Sequence, residues 1–282
     1  MTPDERPPSP AAGGAAEKRP VVIRCGGVSK HYDGRPILHG VELEVRKGET
    51  LVIMGGSGHG KSTLLRLLIG AEKPDAGIIE LFGQDISRLS EEEMYPLKKR
   101  FGVLFQSGAL FNSMTVAENI ALPLREHTQL DEKIIRIIVK LKLELVGLRD
   151  FENLLPAQLS GGMKKRVGLA RAIALDPEII FYDEPGAGLD PVMLAVIDEL
   201  IVGLGRKLGV ASIVVTHEMH SAFRIADRMV LLYRGRIIAE GTPDQIRNSE
   251  DPIVQQFIQG KAEGPIPLRL SSRDFAQDLL GG

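Results

Sequence analysis

The stretch Gly55-Gly56-Ser57-Gly58-His59-Gly60-Lys61-Ser62-Thr63 sets glycines ahead of a lysine and two hydroxyls, at a spacing that suits the binding of a phosphate chain. Glycines let the backbone curl until its N–H groups point inward. A helix that starts at the loop adds partial positive charge at the same place. In such a loop Lys61 contacts the β- and γ-phosphates of a nucleotide, and the Ser62 hydroxyl is a ligand for Mg²⁺. His59 sits at a variable position of the loop and is given no chemistry of its own. A second group stands far downstream. Asp183 and Glu184 follow the apolar residues Ile179, Ile180, Phe181 and Tyr182. Asp183 is then expected at the end of a buried strand, where it can hold Mg²⁺ through water. Glu184, at the strand's mouth, is the candidate to polarise an attacking water.

The elements that must position these groups are readable from periodicity. Residues 51–54, Leu-Val-Ile-Met, predict a buried strand directly before the loop. Leu64, Leu65, Leu67 and Leu68 predict the apolar face of the helix after it. Residues 21–24 read as a first strand. Val41, Leu43 and Val45 alternate with Glu42, Glu44 and Arg46 as in a half-exposed one. Residues 101–106 predict a strand ending at Gln106, and residues 178–182 and 211–216 predict two more around a helical segment. From about 107 to 170 the character is helical. Ile134, Ile135, Ile138, Leu141 and Leu145 recur at helical spacing, with Gly147 as a C-cap signal. Residues 230–239 suggest a hairpin about Arg234-Gly235, and Thr242-Pro243-Asp244-Gln245 has a capping-box pattern. The pattern describes a helical subdomain inserted in an α/β core.

Composition narrows the classes of function. The chain has 282 residues, 43% of them hydrophobic, and a formal net charge of -2, which gives no polyanion-binding signal. The single cysteine, Cys25, cannot form an internal disulfide and reads as a small packed residue. No apolar run approaches the roughly 20 residues that span a bilayer. Residues 1–20, rich in Pro and Ala, lack the apolar centre of a signal peptide and are expected to be a disordered tail. Transport would therefore need separate membrane subunits.

Together with Leu159-Ser160-Gly161-Gly162-Met163, these stretches resemble the ATPase subunits of ABC transporters. The resemblance spans most of the chain. It implies a P-loop NTPase core with an antiparallel β subdomain and an inserted α-helical subdomain over residues 21–260. It implies ATP and Mg²⁺ as cofactors. In the family's terms Tyr32 stacks on the adenine, against the alternative of a buried core tyrosine. Gln106 matches the glutamine that touches the metal and senses the membrane subunit. His217 matches the histidine that reaches the γ-phosphate. Ser160, Gly161 and Gly162 match the signature, whose hydroxyl and N–H groups bind the γ-phosphate held by a second copy. Asp190 matches the loop that crosses that interface. Two copies then make two complete sites. Met163 departs from the usual Gln, which puts any role of that side chain in doubt.

Two further stretches, Phe105-Gln106-Ser107-Gly108-Ala109-Leu110-Phe111 and Pro123-Leu124-Arg125-Glu126-His127-Thr128, resemble the ATPases of the Mla, Mce-type phospholipid transport systems. Gly264-Pro265-Ile266-Pro267 and Asp278-Leu279-Leu280 add to that match. The resemblance implies a dimer under an integral-membrane permease, peripheral to the cytoplasmic face of a bacterial inner membrane. A small cytoplasmic STAS-domain protein and a periplasmic Mce-type lipid-binding subunit are implied as partners, and nucleic acid is not. Residues 261–282 are expected to form an interaction tail, with a short helix whose Phe275 and Leu279 share a face. An ABC importer or exporter of another substrate is the alternative. A non-transport ABC ATPase is disfavoured. DNA-repair forms carry long coiled coils between glutamine and signature, but only 54 residues take Gln106 to Ser160, and ribosome-associated forms carry two cassettes in one chain.

Overall fold

A continuous apolar run has no face to offer water, and residues 51–54 accordingly lie in the middle of the molecule. The computed structural model describes residues 19–266. β1 (Val21–Tyr32) and β2 (Arg35–Arg46) form a hairpin, and β3 (Thr50–Met54) leads through the glycine loop into α1 (Lys61–Leu68). β4 (Ala76–Leu81), β5 (Gln84–Asp85), α2 (Glu91–Lys98) and β6 (Phe101–Leu104) follow. Three helices come next: α3 (Val116–His127), α4 (Glu132–Leu145) and α5 (Gly161–Ala172). β7 (Ile179–Asp183), α6 (Pro191–Leu208), β8 (Ala211–Val215), α7 (Met219–Ile225), β9 (Arg228–Tyr233) and β10 (Arg236–Gly241) complete the core, ahead of α8 (Pro243–Arg247) and α9 (Pro252–Gln259).

The strands form two sheets. One is antiparallel, in the order β2-β1-β4-β5; the other runs β10-β9-β3-β8-β7-β6, parallel except for β10. Side chains of a strand alternate faces, so a strand buried on both sides feeds two cores. Val52 and Met54 join a core built with the inserted helices and α6, whereas Leu51 and Ile53 join one built with α1 and the antiparallel sheet. The fold is therefore the α/β core with an antiparallel β subdomain and an inserted helical subdomain that the sequence implied. No helix among the described residues is long and apolar enough to cross a membrane.

Several boundaries differ from the expectation. The strand expected over 101–106 stops at Leu104, because the Gly108 N–H donates to the Phe105 carbonyl (2.8 Å) and turns the chain. Helix begins only at Val116, where Thr115 and Glu118 form a capping box. Helix α4 exists as expected, with Ile135, Ile138 and Leu145 of the expected stripe on the core but Ile134 and Leu141 turned outward. Ile135, Val139 and Leu143 are buried, whereas Ile134, Ile137 and Leu141 are 45, 55 and 59% exposed. The helix is apolar around more than one face, so periodicity alone does not choose its inner side. β4 gave no signal because half of it is exposed without alternation. The C-terminal tail's first residues are tied down: Gln256 accepts from the Ile266 N–H (2.6 Å) and donates to its carbonyl (3.3 Å). The expected helix at 275–280 and most of the N-terminal tail lie outside the described residues.

Phe181 is 0% exposed and stands edge-on to Phe101 in the sheet core. Phe181→Ala should lower stability by about 3–5 kcal/mol, read as a lower midpoint in urea unfolding. An unchanged midpoint would mean the core collapses around the deletion.

Candidate active site

Neighbouring parallel strands end on the same edge of a sheet, and ligands of open α/β sheets bind there. Four adjacent strands, β3, β8, β7 and β6, deliver the singled-out residues to that edge. The glycine loop follows β3, His217 lies just beyond β8, Asp183 ends β7 with Glu184 next, and Gln106 lies just beyond β6. Register fixes their relative heights, since Ile53 and Asp183 both pair with Val215.

The loop needs its glycines. Gly55 has φ +155°, and a Cβ there would stand 2.4 Å from the Leu232 carbonyl oxygen. Gly60 has φ +102°, with a Cβ 2.8 Å from the Leu38 side chain. Gly60 caps α1 without any side-chain hydrogen bond, which leaves the first N–H groups of the helix for a ligand. The Lys61 ammonium is buried and donates to the carbonyls of Gly55 (2.7 Å) and Gly56 (3.1 Å). Burial lowers its proton affinity, opposed by the charges of Glu184 and Asp183. Ser57, Gly58 and Ser62 are exposed, and Thr63 is buried. His59 braces the loop: its Nδ1 accepts from the Gly56 N–H (3.2 Å), and its ring meets Tyr233 edge-on. Burial depresses the His59 pKa, which favours the neutral ring that can accept. Tyr32 is half-buried at the end of β1, not in a core, and its hydroxyl donates to Glu72.

The acids sit across from the lysine. Asp183 is held above the usual carboxylate range by burial and by neighbouring Glu184, with Arg66 and Lys61 acting against this. Glu184 takes a left-handed backbone, φ +46°, and its N–H donates to the Val215 carbonyl (2.9 Å). Its Oε2 accepts from His217 Nδ1 (2.9 Å) and from the His217 N–H (3.3 Å). His217 is 57% exposed, and with Nδ1–H given to Glu184, Nε2 is left as the second hydrogen-bonding position of the ring. Gln106 and Asp183 line one open cleft of about 490 Å³ with Phe105, Ser107, Ala187 and Gly188. Buried Asn119 braces the loop beyond Gln106 by bonding both backbone groups of Phe111.

Ser160, Gly161 and Gly162 are not part of that cleft. Ser160 is the N-cap of α5 and accepts from the Met163 N–H (3.3 Å), with Gly161 exposed beside it. Met163 packs against the helical core, so the position where Gln is usual serves packing here. Asp190 is exposed and caps α6 through the N–H groups of Val192 and Met193. Lys165, buried in α5, was not singled out from sequence. Its signal was a cation in register with the inward-facing Gly162, Gly168 and Leu169.

Ser62, Asp183 and Gln106 offer only hard oxygen donors, which suit Mg²⁺. A half-buried carboxyl whose pKa is raised by burial and by a neighbouring carboxylate is also a group that a cation would relieve. The residues present therefore fit the metal.

The family model for the ABC transporter domain matches residues 38–187. The chain is 47% identical over 246 residues to the intermembrane phospholipid transport system ATP-binding protein MlaF of Haemophilus influenzae, covering 87% of this chain and 93% of that one. It is 45% identical to the Escherichia coli K12 protein of the same name, covering 93% and 97%. A Mycobacterium leprae protein named as a probable ribonucleotide transport ATP-binding protein is 44% identical, covering 87% and 71%. Among solved structures, the dimeric ATP-binding cassette MJ0796 bound to ADP and Pi superposes with a TM-score of 0.73 at 30% identity, covering 78% of this chain and 98% of that one.

The raised Asp183 pKa has a stability consequence. A carboxyl whose folded pKa exceeds its unfolded value costs stability above the folded pKa; the cost fades as pH falls through the folded pKa toward the unfolded one and is absent below it. Without nucleotide, Asp183→Asn should therefore raise the thermal midpoint at neutral pH, with a gain that shrinks as pH falls through the raised folded pKa and is lost below the ordinary carboxylate value near pH 4. A gain that is the same at pH 7 and pH 3.5 would assign it to another cause.

Proposed function

This chain belongs to the ABC transporter family of ATP-binding proteins and is an ATPase; on that premise we propose that it powers phospholipid transport between the inner membrane and periplasmic carriers. The observation that carries the hydrolytic reading is the edge shared by Lys61, Glu184 and His217, with the Glu184 carboxylate held by His217 at 2.9 Å. The lipid reading is supported by identities of 45–47% to the MlaF proteins over most of both chains. The cytoplasmic face of the inner membrane is the proposed place of work, with a permease above the dimer. A STAS-domain protein and an Mce-type lipid-binding subunit are proposed as partners. The tail beyond Ile266 is proposed to dock on the second copy or on the STAS partner.

In this reading the phosphate chain lies along residues 55–63, met by backbone N–H groups, the start of α1 and the Lys61 ammonium. Tyr32 supports the adenine. Ser62, Asp183 and Gln106 would hold Mg²⁺, which supplies charge neutralisation on the phosphates. Glu184 accepts a proton from the attacking water, whose oxygen bonds to the γ-phosphorus as the bond to the leaving ADP oxygen breaks. His217 steadies the carboxylate through Nδ1–H and, as the doubly protonated ring, would donate Nε2–H to the γ-phosphate. Ser160, Gly161 and Gly162 of one copy and Asp190 complete the site of the other. The structural relatives include dimeric cassettes.

Glu184→Gln should keep ATP binding and lose about 10²–10⁴-fold in turnover, measured with the purified complex. Near-normal turnover would remove Glu184 from its role. The substrate is tested separately, by mass spectrometry of small molecules that copurify with the complex. Phospholipid is expected; a ribonucleotide would favour the substrate named for the mycobacterial relative.

A further inference from the structure

Lys165 lies one turn into α5 and is 5% exposed. Its ammonium donates to the carbonyl oxygens of Pro185 (2.7 Å), Ala187 (2.7 Å) and Glu184 (3.3 Å). An ammonium has three protons, and each here meets one carbonyl. All three carbonyls belong to the turn that leaves β7. That turn opens on Glu184 in the left-handed region, which side-chain-bearing residues seldom adopt. Such a conformation persists only where its surroundings over-determine it. The Val215 carbonyl holds the Glu184 N–H, and His217 holds its carboxylate. On the carbonyl side, the described partners are the Ala187 N–H (3.1 Å) and Lys165.

We propose that Lys165 is a positioning residue for hydrolysis: its ammonium fixes the 184–187 turn, aims the Glu184 carboxylate, and ties that aim to the helix that starts at Ser160. The proposal rests on Glu184 as the carboxylate that activates water. Lys165 itself acts through backbone and touches no reacting atom. The strut joins two pieces that the sequence separates. α5 carries the Ser160 cap at its first turn, and β7 carries the acids. A shift of α5 along its axis would drag on the three carbonyls and turn Glu184.

The test measures kcat, KM for ATP and bound nucleotide per chain in the full-length chain within its membrane complex. Lys165→Met should lower kcat by about 10²-fold, the scale of a small misplacement of a reacting group, with KM and bound nucleotide unchanged. Lys165→Arg should lose less, because a planar guanidinium reaches some of the carbonyls but cannot meet three convergent ones. In a Glu184→Gln background, Lys165→Met should add no further loss, since the group it aims is gone. Wild-type kcat in Lys165→Met overturns the proposal, as does a parallel fall of kcat and bound nucleotide, or a deficit that multiplies that of Glu184→Gln. If Lys165→Met does not fold, Lys165→Arg decides: a lower kcat at unchanged KM supports the strut, and wild-type kcat overturns it. Normal turnover by Glu184→Gln alone would remove the premise, and is read separately from every Lys165 result.

Discussion

Hydrogen bonding between parallel neighbours decides where this chain can do chemistry. β3, β8, β7 and β6 run side by side in one direction, and their residues pair in fixed register. The strands are far apart in sequence, yet each must end on the same edge. The loop at 55–63, Glu184, His217 and Gln106 thus meet without any contact between them having to be selected separately. Slippage is prevented by burial on both faces. A one-residue shift would exchange the side chains that feed the two cores, putting Leu51 and Ile53 where Val52 and Met54 now pack. The same burial that stabilises the sheet therefore holds the site's geometry.

The site spends part of that stability. Burial raises the pKa of Asp183 and lowers that of Lys61, and Glu184 sits in an uncommon backbone conformation. None of these would be chosen for folding alone. They are tolerated because the strands beneath them are fixed, and because each unfavourable group has a neighbour of opposite sign. Lys61 and Lys165 both lose proton affinity through burial, and both regain some from Glu184. A network that is marginally unhappy without ligand is primed to favour an anion and a cation arriving together.

Much of this was legible in the sequence, for identifiable reasons. The buried strands announced themselves as apolar runs, and the groups at their ends followed from where those runs stop. Phosphate binding was legible because glycine, lysine and hydroxyl positions are constrained by the backbone itself. What escaped were contacts made through backbone atoms or across long separations. Lys165 reads as one more cation in Lys164-Lys165-Arg166, and only its carbonyl partners give it meaning. His59 belongs to a variable position, and its brace on Gly56 depends on a neighbour, Tyr233, far along the chain. The inner face of α4 was misjudged only at Ile134 and Leu141, which are as apolar as the buried Ile135 and Val139. Side-chain type cannot separate a core stripe from an exposed one when both are hydrophobic.

The arrangement also bears on why one chain is insufficient. Ser160 opens α5 with its hydroxyl already accepting from the Met163 N–H, and Gly161 lies exposed beside it. Asp190 opens α6 in the same manner, with exposed Val192 next to it. Both are helix starts whose positive ends are not turned into this chain's own cleft, which is lined instead by Gln106, Asp183 and Gly188. In the proposed dimer a two-fold axis would bring such surfaces onto a neighbour's phosphates while the neighbour returned the same groups, since an isologous contact repeats itself. In that proposed pairing α5 would touch one nucleotide through its first turn, while Lys165, on the same helix, would hold the turn of the glutamate that serves the other. The helix would then join the two sites, so that closure at one would shift geometry at the other.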